Sequence, residues 1–179
     1  MIKWKRPDNI PFPQVWWRFS AKDPDTGDTV DYRIEDLTED RYEEVVDLMI
    51  KYFIPDEPIC ICLDNANDAA FVAESREIWA QAVARKFTLV CYKENSREIC
   101  GFNMLQVLRK SEDVNQVQIK RPAYIIFQFM KKKIDLYNRY NVDQFLGEAG
   151  LLTVPKYRGC GIATELLKAR VPVMKALGV

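Results

Sequence analysis

The sequence predicts a single mixed α/β domain, and three observations carry that prediction. Strand-like alternation and 3.6-period helical patterns succeed one another in the order strand, helix, helix, hairpin, helix, strand, helix. The apolar run Leu151-Leu152-Thr153-Val154 enters a loop with two glycines, Arg158-Gly159-Cys160-Gly161-Ile162-Ala163, where a helix starts. The 179 residues, 48% hydrophobic and 29% charged, are an ordinary globular mix, and a chain of this size buries roughly 70% of its unfolded surface.

Residues 1–27 place Pro7, Pro11 and Pro13 among Trp4, Phe12, Trp16, Trp17 and Phe19. They read as an extended arm with little regular structure, lying across the domain formed by residues 28–179. Asp25-Thr26-Gly27-Asp28 is a turn signal. Thr29 to Leu37 alternates as a strand, with Val30, Tyr32 and Ile34 on one face. Thr38 is expected to cap a helix over 39–52, with Glu39 and Asp40 at its positive end and a stripe of Tyr42, Val45, Met49 and Tyr52. Ile54-Pro55-Asp56-Glu57-Pro58 ends it. A second helix is predicted over 66–85, with Phe71, Ile78, Trp79, Ala82 and Val83 on one side.

Phe87–Tyr92 and Glu98–Leu108 read as an antiparallel hairpin around Glu94-Asn95-Ser96, and 109–120 as a polar loop. A third helix is predicted over 122–139, with Pro122 at its start. Leu146–Val154 is a strand whose Gly147 and Gly150 mark a bulge. The last helix, over 161–177, is expected to kink or end its first half at Pro172, and Gly178 to cap it.

Composition excludes several functions. Lys+Arg and Asp+Glu both number 26, so no charge excess points to nucleic acid or an anionic membrane. Lys131-Lys132-Lys133, the one basic run, reads as a solvated helix end. No apolar run approaches the ~20 residues of a membrane span, and Met1–Pro7 lacks a signal peptide's apolar stretch. The five cysteines have no metal spacing, so reduced thiols in a cytoplasmic protein are expected, with no metal site. The sequence has no histidine. Ser-His-Asp and Cys-His chemistry is therefore excluded, and a general base must be a carboxylate, Lys, Tyr or Cys.

A strand, a glycine loop and a helix start together gather free backbone N–H groups for an anion, or else make a plain connection. No Gly-Lys-Ser/Thr follows for a Walker loop, and no βαβ unit precedes it for a dinucleotide fold. The order of elements and this loop resemble the GCN5-related N-acetyltransferases, whose loop reads (Q/R)-x-x-G-x-(G/A). Arg158, Gly161 and Ala163 fill its fixed positions. Ile10-Pro11-Phe12-Pro13 with Trp16-Trp17, and Asp56-Glu57-Pro58, resemble the insect arylalkylamine branch. The resemblance implies a mixed, mostly antiparallel central sheet flanked by helices, C-terminally truncated, and acetyl-CoA as cosubstrate. Leu152, Thr153 and Val154 are expected on the pantetheine arm, with Leu152 and Val154 offering their backbone groups. Arg158, Gly159, Cys160, Gly161, Ile162, Ala163 and Thr164 are expected at the pyrophosphate. Cys160 is read as a backbone contributor rather than a nucleophile.

The resemblance makes Glu57 the general base, since a carboxylate partly desolvated at a helix end can take an amine proton. The alternative is a charged turn. Asp56 reads as a turn or cap residue, and Glu148 as a second, lesser base. Tyr42, Tyr52, Tyr124 and Phe129 are either core or acceptor-pocket residues. The family continues past its cofactor helix with another strand, a helix and two more strands. The 146–154 strand is therefore expected at an open edge and the last helix without cover, as in a fragment, a short isoform, or a homo-oligomer paired through that edge. The expected reaction is acetyl transfer to a small primary amine by direct attack. A catalytically silent CoA-binding module is the rival.

Overall fold

A computed structural model describes residues 6–111 and 121–179. Five strands form one sheet in chain order: β1 Val15–Lys22, β2 Thr29–Asp36, β3 Thr88–Lys93, β4 Ile99–Arg109 and β5 Gln144–Thr153. Every pairing is antiparallel. The α-helices are α1 Tyr42–Leu48, α2 Pro58–Cys62, α3 Ala69–Val83, α4 Pro122–Ile134, α5 Leu136–Tyr140 and α6 Ile162–Leu177. The expected α/β class, an antiparallel sheet flanked by helices, is the one observed.

The sheet separates two apolar clusters. On one face Phe102, Met104 and Leu152 pack with Val45, Val46 and Met49 of the first helical segment and with Trp79 of α3. On the other, Tyr32, Ile34, Leu105 and Val107 pack with Ile162, Leu166, Ala169 and Val173 of α6. Because both faces are covered, β3 and β4 are almost continuously buried rather than alternating.

Several expectations are corrected. Residues 15–22, read as part of an irregular arm, form an edge strand paired with β2 from Val15↔Glu35 to Lys22↔Thr29. Their aromatics favour a pleated, half-buried surface, and Phe19 stacks on Tyr32 with centroids 5.3 Å apart. Thr38 stands at the N-cap position, but its hydroxyl bonds Asp40 Oδ1 at 2.5 Å instead of a backbone N–H. The helix it precedes opens as a 3-10 turn, Glu39–Arg41, and closes as a π turn, Met49–Phe53. The third predicted helix is broken at Asp135, whose φ of 42° and side-chain bond to Asn138 N start α5 anew. The helix α6 runs through Pro172 without ending. Its apolar side is mostly covered by the sheet, and Leu167 and Val171 alone among its large apolar residues are exposed.

Other expectations hold. Asn95, at φ 59°, turns the β3–β4 hairpin, and Gly178, at φ 66°, caps α6. A bulge interrupts the β4–β5 register between Met104↔Gly150 and Leu105↔Glu148, and β5 is an edge strand among the described residues. Lys132 and Lys133 are exposed at the end of α4. Residues 1–5, with Trp4, and 112–120 of the expected polar loop lie outside the described residues.

Candidate active site

The site is built from two chain segments that meet at the end of β5. In the first, the π turn runs into Ile54-Pro55-Asp56-Glu57-Pro58. Pro58 starts α2, where a missing N–H costs nothing. Glu57 is the N-cap in extended conformation, and its Oε2 accepts the Cys60 N–H at 2.7 Å. Its own N–H bonds Phe53 O at 2.9 Å. Glu57 is thus held at backbone and carboxylate alike. Behind it, burial pushes the Cys60 thiol up, and the nearby Glu57 carboxylate adds to that rise.

The second segment is β5 and the loop after it. The Val154 N–H donates to Cys100 O at 3.0 Å. By the alternation of an antiparallel ladder, Leu152 also points its backbone groups at β4, while those of Leu151 and Thr153 face the open edge. The edge groups are therefore offered by Leu151 and Thr153, and the expectation for Leu152 and Val154 is shifted by one residue. A 3-10 turn, Pro155–Tyr157, comes after the strand, anchored by the buried ring of Tyr157.

The glycine loop comes next. Gly159 and Gly161 both have φ of +81°, a conformation that a Cβ strains, and both border open space. The Cys160 N–H turns back to Tyr157 O at 3.4 Å, and the first intrahelical bond of α6 is Glu165 N–H to Gly161 O at 3.2 Å. The N–H groups of Ile162, Ala163 and Thr164 consequently have no intrahelical acceptor and lie at the positive end of a 16-residue helix. The Ile162 side chain is buried in the core, so it anchors the loop and only its backbone is on offer. Thr164 is exposed beside it. Trp17 Nε1 donates to Glu165 Oε2 at 2.8 Å and ties β1 to the first turn of α6.

A cleft of about 330 Å³ lies between the two segments, with Tyr52, Phe53, Asp56 and Glu57 on one side and Leu151, Leu152, Thr153 and Arg158 on the other. Arg158 crosses it. Its Nη2 is 2.6 Å from Asp56 Oδ2, and its Nε donates to Thr153 O at 3.3 Å. The buried Thr153 hydroxyl has no partner among the described residues.

Glu57, Leu152, Thr153 and Arg158 are therefore brought to one cleft, and the loop from Gly159 to Thr164 extends from it. Glu148 is not at this cleft: it pairs with Arg170 of α6. Tyr42 and Tyr124 pack against the core, Tyr52 lines the cleft, and Phe129 is exposed on α4. Sequence reasoning missed Leu151, Phe53 and the ionic partnership of Asp56. Spacing alone does not show pairs that are about a hundred residues apart in the chain.

The residues fit an acyl-CoA. Unpaired amides at a helix start and a guanidinium suit a pyrophosphate, and the donors of an open strand edge suit an amide-bearing arm. Fold and site together define an N-acyltransferase domain. Among solved structures, a yellow fever mosquito (Aedes aegypti) protein described as insect arylalkylamine N-acetyltransferase 7 is 38% identical, with a TM-score of 0.92 over 99% of this chain and 76% of its own. Arylalkylamine N-acetyltransferase 2 of Aedes aegypti shares the fold at 16% identity, with a TM-score of 0.64 over 83% of this chain and 72% of its own. A Drosophila melanogaster polyamine N-acetyltransferase does so at 16% identity, with a TM-score of 0.62 over 83% of this chain and 72% of its own. No protein-family model and no curated protein matches the chain. The chain belongs to the insect arylalkylamine N-acetyltransferases of the GCN5-related superfamily.

Proposed function

We propose that the chain transfers the acetyl group of acetyl-CoA to a primary arylalkylamine, with Glu57 as general base. The observation that carries this is the single cleft joining Glu57 to the strand edge and the guanidinium that leads into the anion loop. Glu57 offers negative charge to an ammonium, and Tyr52 and Phe53 offer apolar surface to an aryl group. Arg158 and the amides from Gly159 to Thr164 hold the pyrophosphate, and the edge of β5 aligns the pantetheine arm. Glu57 takes the proton of the bound ammonium. The freed amine nitrogen bonds to the thioester carbonyl carbon, the carbon–sulfur bond breaks, and the proton still carried by the acylated nitrogen ends on the departing sulfur, leaving the amide and the CoA thiol. The reaction is read as cytoplasmic, with five free cysteines and no helix among the described residues long and apolar enough to cross a membrane.

Glu57→Gln separates the two duties of this residue, because a glutamine carbonyl still accepts the Cys60 N–H but takes no proton. Acetyl-CoA affinity by calorimetry stays within about threefold, and kcat for tryptamine in a thiol-release assay falls about 10²-fold or more. An unchanged kcat at neutral pH removes Glu57 from the mechanism.

The second reading is a catalytically silent CoA-binding module, favoured by β5 being an edge strand among the described residues and by the exposure of Leu167 and Val171 on α6. Acetyl-CoA binding without turnover of tryptamine, dopamine or polyamines supports it. Light scattering of the unmodified chain tests pairing of two copies through that edge.

A further inference from the structure

Three consecutive carbonyls of the β5 bulge are each held by a side chain. Gln106 Nε2 donates to Glu148 O at 3.2 Å, Trp79 Nε1 to Ala149 O at 3.2 Å, and Asn103 Nδ2 to Gly150 O at 2.9 Å. Asn103 is fully buried, on the face of β4 that also carries Gly101, Leu105 and Val107. An apolar residue would fill that place without the desolvation an amide suffers. Its polarity is matched on both sides, since Oδ1 also accepts from Arg170 Nε at 2.8 Å. Arg170 in turn pairs with Glu148, so α6 and the bulge share one network.

The bulge sets the phase of the rest of β5. A slip of one residue exchanges the backbone groups that face the edge for those that face β4. Leu151 and Thr153, the next edge-facing residues, line the cleft that holds Glu57. Thr153 O is itself engaged by Arg158. The carbonyls of the bulge and of Thr153 are thus occupied, and the N–H groups of Leu151 and Thr153 remain the edge's donors.

We infer that Asn103 is a positioning residue for acyl transfer. With Trp79 and Gln106 it locks the bulge in the phase that turns the Leu151 and Thr153 N–H groups to the open edge, about 7 Å apart, so that one meets the thioester carbonyl oxygen and the other an amide of the pantetheine arm. The inference rests on the acyltransferase reading. It assigns to the inner side of β4 a control over chemistry at the outer side of β5.

The test uses the full chain. Asn103→Asp keeps the acceptor for Arg170 but loses the donor to Gly150 O, while Trp79→Phe and Gln106→Met each delete one donor, the second at nearly constant volume. Expected for Asn103→Asp are acetyl-CoA affinity within about threefold of wild type and kcat lower by ~30-fold or more, as misplaced reacting groups require. The other two lower kcat by roughly three- to tenfold on the same physical ground. In the wild type, one of the amide proton resonances of Leu151 and Thr153 moves with acetyl-CoA more than with CoA, and this difference is lost in Asn103→Asp. Wild-type kcat in the folded variants overturns the role, as does a parallel loss of affinity, kcat and thermal stability. If Asn103→Asp does not fold, Trp79→Phe and Gln106→Met decide on the same criteria. A wild type that neither binds nor transfers overturns the acyltransferase reading instead.

Discussion

Glu57 caps a helix and faces a cleft with the same carboxylate. The Cys60 N–H fixes the side-chain rotamer and takes up only one of the carboxylate's acceptor sites. Arg158 is placed just as tightly, by Asp56 on one side and Thr153 O on the other. A charge-assisted bond of this kind contributes about 1.5–3 kcal/mol when its partner is a phosphate, so Arg158→Ala should weaken acetyl-CoA binding by roughly 10- to 100-fold. Calorimetry measures this, and unchanged affinity removes Arg158 from the cofactor site. Cys60 and Cys62 give a second check. Cys62 is exposed, whereas the Cys60 thiol is buried and pushed up. At pH 8, Cys62 should react with a maleimide well before Cys60. Mass mapping of the modified peptides reports the order. Glu57 was legible in the sequence because Asp-Glu-Pro is local. Its bond to Cys60 is local too, but only α2, a helix too short to leave a periodic pattern, makes it a cap.

The elements show where local pattern was enough and where it was not. Gly150 was readable as a bulge, but its reason lies elsewhere: a Cβ there would stand 2.5 Å from Met49 Cε, in the π turn that leads to Glu57. Gly150→Val should therefore cost about 1–3 kcal/mol by overpacking and backbone strain, read as a lower urea midpoint at unchanged slope. Alanine should cost less, because the methionine end can swing aside. Leu166 is fully buried under the sheet, and Leu166→Ala should cost about 2–5 kcal/mol in the same assay. Pro172 was read as a break because it deletes one helical bond and crowds the carbonyl four residues back. That carbonyl belongs to the exposed Lys168 and can tilt to water, while Val173 and Leu177 keep the second half of the helix on the sheet.

Across the molecule, the N-terminal arm is bound by one buried carboxylate. Asp36 Oδ atoms accept from both Arg6 Nη atoms at 2.9 Å, from Gln14 N–H at 3.0 Å and from Trp16 Nε1 at 2.9 Å. Removing it strands a nearly buried guanidinium, so Asp36→Ala should destabilise by about 3–5 kcal/mol in urea unfolding. At the other end of β1 and β3, Lys93 holds the Asp23 carboxyl below its ordinary 3.8, with a backbone N–H assisting. A depressed carboxyl stabilises the fold above its unfolded value and stops doing so as pH falls through the folded one. Stability should therefore decline as pH drops below 3.8, and Asp23→Asn should flatten that part of the curve. Circular dichroism across an acid series checks the slope.

Patterns within about fifteen residues of each other were readable without coordinates. They include the central strands and α3, the hairpin turn, the glycine loop, and Glu57 beside a proline. Each depends on backbone preference or on a period that one segment expresses alone. The strand character of Val15–Lys22, the inward turn of Val154, the Arg158–Asp56 pair and the three captured carbonyls of the bulge were not readable. Each is decided by which distant segment supplies the partner, and a buried donor or acceptor takes the nearest partner the assembled fold provides. The sequence sufficed to propose an anion loop and a base. Folding brought Glu57 and the start of that loop to one cleft, because β5 runs into the loop and packs against the turn that leads to Glu57.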